Sequence, residues 1–261
     1  AGGRKSSLTF APEAGSQRMR NVINKGLTEE DILRGSGEAF AGGWNKVKLY
    51  FMLGLPTEED EDIKGIAYLA EKIAEHYYEI PKDQRNGKCQ ITVSTSFFVP
   101  KPFTPFQWAA QITPEEYLRR VHLLQANLHA KCVDYRYHES DLSRLEAVMA
   151  RGDRRVGQAL LEAHRLGCRL DGWDEYFNYE KWLEAFRCAG LEPNFYTTRG
   201  FGTDELLPWQ TIDVGVTTKF LLHEREKALR SEATPDCRTH CNGCGARMLS
   251  ERRLCDESPI V

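Results

Sequence analysis

The sequence lacks an excess of charge of one sign, a long apolar run and a secretory signal. Its 261 residues carry a formal net charge of −3 at pH 7, so no global field attracts the chain to nucleic acid or to anionic lipid. The longest apolar stretch, Val47 to Leu55, is interrupted by Lys48 and is far shorter than the roughly 20 residues that span a bilayer. We therefore expect a folded cytoplasmic protein with no membrane partner.

Cysteine is missing from the first third of the chain and is clustered only near the end. In an intracellular protein such a cluster indicates metal or redox chemistry, whereas isolated cysteines are typical of small buried apolar residues. The isolated cysteines are Cys89, Cys132, Cys168 and Cys188. The clustered cysteines are Cys237, Cys241, Cys244 and Cys255.

The first part of the chain repeats a β-branched or apolar run, a glycine- or proline-containing turn and an amphipathic helix. The runs Ser7–Ala11, Lys46–Leu53 and Gln90–Val99 are predicted strands, and Val133–His138 is a possible fourth. Strands that alternate with helices predict a parallel sheet whose strand ends form a site. The expected fold class is therefore α/β, with part of a (β/α) barrel.

Helix starts are marked by polar caps. The sequence Thr-Glu-Glu-Asp occurs twice, from Thr28 and from Thr57, and in both places it predicts a helix start with acidic residues in the first turn. An earlier helix is predicted over Ser16–Lys25, ended by Gly26. Pro114 is the predicted first residue of another helix.

After the possible fourth strand, the pattern becomes mostly helical. The predicted helices are Leu142–Arg151, Arg154–Leu166 and Tyr179–Ala189. We predict three domains: barrel strands and helices over residues 1–131, a mostly helical extension over 132–232, and a cysteine-rich tail over 233–261.

The segments that contain the turns after the three strands resemble, taken together, one known protein family. Ser7–Arg18, Lys48–Asp62 and Phe98–Trp108 resemble the fourth, fifth and sixth barrel strands of radical S-adenosylmethionine (SAM) proteins. The resemblance is closest to an uncharacterised bacterial family with an amino-terminal cobalamin-binding-like region and a partner radical-SAM-linked domain. It implies the second half of a TIM-like barrel, and it leaves open a role for cobalamin in the full-length protein.

The resemblance also implies a SAM site at the strand ends. Glu13 corresponds to a polar residue that contacts the ribose of SAM, which a carboxylate does by accepting from two hydroxyls. Gly15 and Ser16 complete that turn, where glycine permits a close approach of backbone to ligand. The remaining candidate SAM contacts, on the adenine side, are Gly54, Pro56, Val99 and Pro100.

One part of the family pattern is missing from this chain. The C-x3-C-x2-C motif that holds the barrel [4Fe-4S] cluster follows the first barrel strand, and no cysteine precedes Cys89. The cluster ligands are therefore expected outside this chain, since a SAM-cleaving cluster needs three thiolates and one open iron. By itself the chain is expected to be catalytically inert.

The tail repeats the same cysteine spacing in a different place. Cys237, Cys241 and Cys244 follow the barrel strands, and Gly243 stands where the radical motif has an aromatic residue. With Cys255, for which His240 is a possible substitute, they suit either zinc or an auxiliary iron–sulfur cluster. A tail without metal is the third alternative.

Two functions remain open from the sequence. The first is the carboxy-terminal part of a radical SAM enzyme that modifies RNA or a ribosome-associated protein, an analogy with related methylthiotransferases. The alternative is a non-catalytic, metal-stabilised binding module on a degenerate barrel. A cluster motif in the parent gene favours the enzyme.

Overall fold

The computed structural model describes residues 6–246 and shows an α/β fold built on a four-stranded parallel sheet. The strand order is the chain order, β1-β2-β3-β4. The strands are β1 (Leu8–Glu13), β2 (Lys46–Leu53), β3 (Gln90–Phe97) and β4 (Val133–Tyr137). The crossovers contain α1 (Gln17–Val22), α2 (Glu29–Ala41), α3 (Asp60–Glu79) and α4 (Pro114–Asn127).

The two faces of the sheet differ in polarity. One face is apolar and buried. Every second strand residue lies on it, including Val47, Leu49, Val93 and Phe97. Helices cover this face; for example, Tyr117 of α4 stacks on Phe97 with ring centroids 4.3 Å apart. The other face is polar and exposed or half-buried. It carries Lys46, Lys48, Tyr50, Thr92, Ser94, Ser96, Asp134 and Arg136.

Helix α3 forms the centre of the covering layer. Its stripe of buried residues recurs every three or four positions, as an amphipathic helix on a sheet requires. The stripe comprises Ile63, Ile66, Ala67, Ala70, Ile73 and Tyr77. Gly15 and Gly65 meet at this helix: an ideal Cβ on Gly15 lies 2.2 Å from the carbonyl oxygen of Asp62. The turn after β1 therefore packs backbone to backbone on α3.

The predicted elements are present, but several of their bounds differ. β1 continues to Glu13 through Pro12, which was predicted to begin a turn, and β3 ends at Phe97 rather than Val99. Helix α1 ends at Val22 rather than Lys25, because Asn24 adopts a left-handed φ of 51° before Gly26. Thr28 caps α2 as predicted, but Thr57 does not cap α3, which begins at Asp60 with Glu59 as its N-cap.

Two units are distinguished by their internal contacts. One comprises the residues up to Phe98, Glu115–His138 and Glu226–Pro235, and the other Val99–Pro114, Glu139–Arg225 and the residues from Asp236. The predicted domain limits near 131 and 232 remain predictions.

The second unit is mainly helical. It contains α5 (Ser140–Arg151), α6 (Val156–Arg165), α7 (Tyr179–Cys188) and α8 (Pro193–Tyr196), while α9 (Thr218–Leu229) runs from this unit into the first. α5 begins two residues earlier than predicted, and α6 is shorter than predicted at both ends. Buried Trp182, Phe186 and Tyr196 form one of its cores. Within residues 6–246, no helix combines the length and apolarity needed to cross a membrane.

The isolated cysteines divide by burial. Cys89 and Cys168 are buried, as predicted, and Cys132 is half-buried. Cys188 is exposed at the end of α7, so the prediction that it is a buried apolar residue is wrong.

Candidate functional site at the carboxyl ends of β1 and β2

Glu13 ends β1 in an unusual backbone conformation. Its φ is 67°, which non-glycine residues adopt at a cost of roughly 1–3 kcal/mol, and such outliers are often found at functional sites. The strand bulges between Phe10 and Glu13, and Glu13 pairs with Phe51 of β2. Its carboxylate forms an ion pair with Lys25 at 3.4 Å, and its side chain is 28% exposed. The carboxylate therefore keeps acceptor capacity that solvent can reach.

Gly15 and Ser16 both have packing roles that account for their residue types. The missing Cβ of Gly15 is required by the approach to α3 described above. The Ser16 hydroxyl accepts from the Met19 amide at 3.1 Å, which caps α1, and donates to Asp62 Oδ1 at 2.5 Å. Their assignment to a SAM site stays a prediction.

The turn after β2 encloses a carboxylate. Glu58 N–H donates to Leu55 O at 3.1 Å, and Pro56 and Thr57 are the two central residues. Thr57 has a φ of 66°, so the turn has the proline and the left-handed third residue of type II. Gly54, with φ 91°, directs its N–H at Glu58 Oε2, at 2.7 Å. The Gly54 N–H is therefore already committed within the turn.

Glu58 is the principal site residue that the sequence analysis did not single out. Its side chain is 2% exposed and accepts from Arg120 Nη1 of α4 at 2.6 Å. Burial raises the pKa of Glu58 to about 7 and outweighs the opposing effects of the Gly54 N–H and of Arg120. A carboxyl group with a pKa near neutrality can exchange a proton under ordinary conditions.

A second carboxylate at this edge stays ionised. Asp62 is buried, which raises its pKa, but hydrogen bonds from Arg18 and Ser16 prevail and hold the pKa below its usual range. Arg18 also donates to Thr57 O at 2.7 Å. The edge therefore places one carboxyl with a raised pKa, Glu58, near one with a lowered pKa, Asp62.

The remaining candidate SAM contacts are less open to a ligand. Pro56 is half-buried in the turn after β2. Val99 and Pro100 follow β3 within three residues, are buried and belong to the second unit. Their contacts with adenine remain predictions.

Three of the four tail cysteines lie among the described residues. Cys237 and Cys241 are exposed and Cys244 is half-buried. In the part of the chain from 6 to 246, no three His, Cys, Asp or Glu side chains form a group that could hold a metal ion. Cys255 lies outside the described residues. The metal site stays a prediction.

The comparisons with known proteins give one relative. The chain is 32% identical over 195 residues to an uncharacterised protein of Methanocaldococcus jannaschii. The alignment covers 73% of this chain and 40% of that protein, so the chain spans about two fifths of the relative's length. No protein-family model matches the chain. No solved structure gives a significant match.

Proposed function

We propose that this chain provides the second half of the (β/α) barrel of a radical SAM enzyme and contributes to its SAM site at the ends of β1 and β2. The observation that carries the proposal is the sheet: four parallel strands in chain order, with helices on one face and polar side chains on the other. The substrate is determined by the longer protein and not by this chain alone.

The strand order favours a barrel over a doubly wound sheet. Doubly wound sheets reverse their strand order at a switch point and carry helices on both faces. Parallel sheets are rarely left with one face uncovered, so the polar face calls for further structure opposite it. Barrel strands supplied by the rest of a longer protein would provide it, and they would enclose the cavity of about 420 Å³ near Lys46, Lys48 and Thr92.

Glu13 is suited to a ligand with hydroxyl groups. Its carboxylate is at a strand end, is partly exposed and uses one oxygen for Lys25, which leaves acceptor sites for the two ribose hydroxyls. The barrel cluster, held by cysteines outside this chain, would supply the electron for reductive cleavage of SAM.

The first experiment compares two glutamates in a longer protein that carries the barrel cluster motif. Glu13→Ala should weaken SAM binding by about 1–3 kcal/mol, the usual effect of leaving buried polar partners unpaired. Glu30→Ala, in the exposed first turn of α2, removes the same charge and should leave the affinity unchanged. Calorimetry measures both, and equal affinities for wild type and Glu13→Ala would remove Glu13 from the site.

The chain alone provides a complementary test. After anaerobic reconstitution and dithionite reduction, it should form no more 5′-deoxyadenosine than a cysteine-free variant. Product above that level would contradict the proposal and move the radical site to the tail.

We further propose that Cys237, Cys241, Cys244 and Cys255 bind one metal centre. Metal–thiolate bonds supply about 10–16 kcal/mol of apparent binding energy in small zinc modules, enough to gather exposed cysteines. Protein purified anaerobically should contain about one zinc or about four irons per chain. Cys241→Ser should lose the metal, whereas Cys188→Ser should retain it. Metal-free protein whose four tail thiols all react with alkylating agent under native conditions would refute the site.

A further inference from the structure

Cys89 and Cys132, which the sequence places far apart, are neighbours in the fold. Cys89 directly precedes Gln90, the first residue of β3, and Cys132 directly precedes β4. The two strands pair in parallel with Ile91 opposite Val133, and Ile91 N–H donates to Cys132 O at 2.8 Å. The cysteines therefore lie at the amino-terminal edge of the sheet, opposite to the edge that carries Glu13.

The two thiols lie close together. Cys132 is near enough to Cys89, and to Tyr78 near the end of α3, to raise the pKa of each. Both cysteines are free thiols; Cys89 is 4% exposed and Cys132 is half-buried. Burial, and then the proximity of Cys132, raises the pKa of Cys89 to about 12. Cys132 is thus the more exposed member of the pair and the one that a solution oxidant can reach.

We propose that Cys89 and Cys132 form a reversible intrachain disulfide on exposure to a peroxide. The register of β3 and β4, continued by one residue, places Cys132 opposite Gln90, so the two cysteines are offset by one position. With strands about 4.8 Å apart and a rise of about 3.3 Å per residue, their Cα atoms are roughly 6 Å apart, within the roughly 4.4–6.8 Å that a disulfide joins. The bond therefore fits between adjacent strand starts and does not require the sheet to open.

The reaction proceeds in two steps. The Cys132 thiolate attacks one oxygen of hydrogen peroxide, the O–O bond breaks, and the departing hydroxide takes up a proton to leave as water; Cys132 becomes a sulfenic acid. Cys89 Sγ then attacks Cys132 Sγ, the S–O bond breaks, and a second water leaves with the Cys89 proton. Two thiols and one peroxide give one disulfide and two waters. A dithiol reductant reverses the change by thiol–disulfide exchange.

The test counts thiols after oxidation. Wild-type protein is treated with hydrogen peroxide, denatured, alkylated and mapped by mass spectrometry, with and without subsequent dithiothreitol. We expect a cross-linked peptide pair containing Cys89 and Cys132, loss of both alkylation sites and their recovery after reduction. This measurement uses wild-type protein, so it does not depend on a variant that folds poorly.

Two variants distinguish the formation of the Cys89–Cys132 disulfide from non-specific oxidation of cysteines. Cys188→Ser removes an exposed cysteine of the second unit and should leave the Cys89–Cys132 cross-link unchanged. Cys89→Ser should leave Cys132 as a sulfenic acid that dimedone traps. The proposal is overturned if Cys89 and Cys132 stay alkylatable while the more exposed Cys188 is oxidised, or if Cys132 is oxidised in wild type without a cross-link to Cys89.

Discussion

The same four residues, Thr-Glu-Glu-Asp, occur at the starts of α2 and α3 and take two different conformations. In the first copy Thr28 caps α2: its hydroxyl accepts from the Asp31 amide at 3.1 Å, and the Asp31 carboxylate accepts from the Thr28 N–H at 3.2 Å. In the second copy Thr57 lies in a left-handed turn and Glu58 points into the protein. The cap role passes to Glu59, with Asp62 as its partner.

The residues before each copy explain the difference. Pro56 fixes the second residue of a tight turn that closes from Leu55 to Glu58. That turn takes Thr57 out of the extended conformation that an N-cap needs. The turn therefore prevents the helix from beginning at the second Thr-Glu-Glu-Asp signal. Glu58, which the pattern predicts in the first turn of the helix, is instead a buried, hydrogen-bonded carboxyl.

The largest expected difference between the copies is in their arginine partners. Arg120→Met should lower the free energy of unfolding by about 3 kcal/mol, because it leaves the buried Glu58 without its charged partner. Arg34→Met removes the arginine that pairs with Asp31 at 2.5 Å on the exposed surface and should cost at most about 1 kcal/mol. Urea unfolding measures both variants. Equal losses would contradict the assignment of Glu58 as the buried member.

The second expected difference is in pH dependence. The pKa of Glu58 rises from 4.5 to about 7 on folding, so between these values the folded state holds more protons than the unfolded state. The Glu58 contribution to the free energy of unfolding is therefore largest below about pH 4.5 and is lost as the pH rises through about 7. The loss is on the order of 3 kcal/mol, at 1.36 kcal/mol per pKa unit.

Substitution at matched positions tests this pH dependence. Glu58→Gln should abolish the fall between about pH 4.5 and 7 while the groups that face it, Arg120 and Asp62, remain. Glu29→Gln changes the equivalent residue of the first copy, a partly exposed partner of Lys72, and should keep the fall. Urea unfolding across this pH range gives, for each variant, the slope of the free energy of unfolding against pH. A Glu58→Gln slope equal to that of wild type would refute the raised pKa of Glu58.

The smallest expected difference is between the two threonines. Thr28→Ala should cost about 1 kcal/mol because the α2 cap is lost. Thr57→Ala removes no cap and should change stability by less than about 0.5 kcal/mol. Thr57→Gly should stabilise the protein slightly, because glycine accepts a positive φ without the penalty of a β-branched residue. Thermal unfolding ranks the three variants, and a Thr57→Ala loss as large as that of Thr28→Ala would contradict the turn.

Sequence patterns predicted the strands of the sheet well because each strand is marked by a pattern of neighbouring residues. β2 has the predicted bounds, Lys46–Leu53, since strict alternation ends at Gly54. β4 and α7 differ from prediction by one residue at one end. Helix α1 was predicted too long because Gly26 is a stronger stop signal than Asn24, although the helix ends at Val22 and Asn24 already has a left-handed φ.

The site was predicted only in part because its key contacts are not local. The turns at Glu13 and Gly54 carry their own signals, but the burial of Glu58 depends on Arg120, which lies 62 positions away. Likewise, only the pairing of β3 with β4 brings Cys89 to Cys132. Pro56 directly before Thr57 was the available clue to the turn at Glu58.

The interleaved path of the two units has a consequence for protein synthesis. The chain leaves the first unit after Phe98, returns for Glu115–His138, and returns again for Glu226–Pro235, where Thr234 N–H donates to Asn24 Oδ1 at 2.9 Å. The first unit therefore remains unfinished on the ribosome until the second is almost fully translated. No single cut in the chain releases either unit intact, so dividing this protein for separate expression requires circular permutation or grafted connections instead of simple truncation.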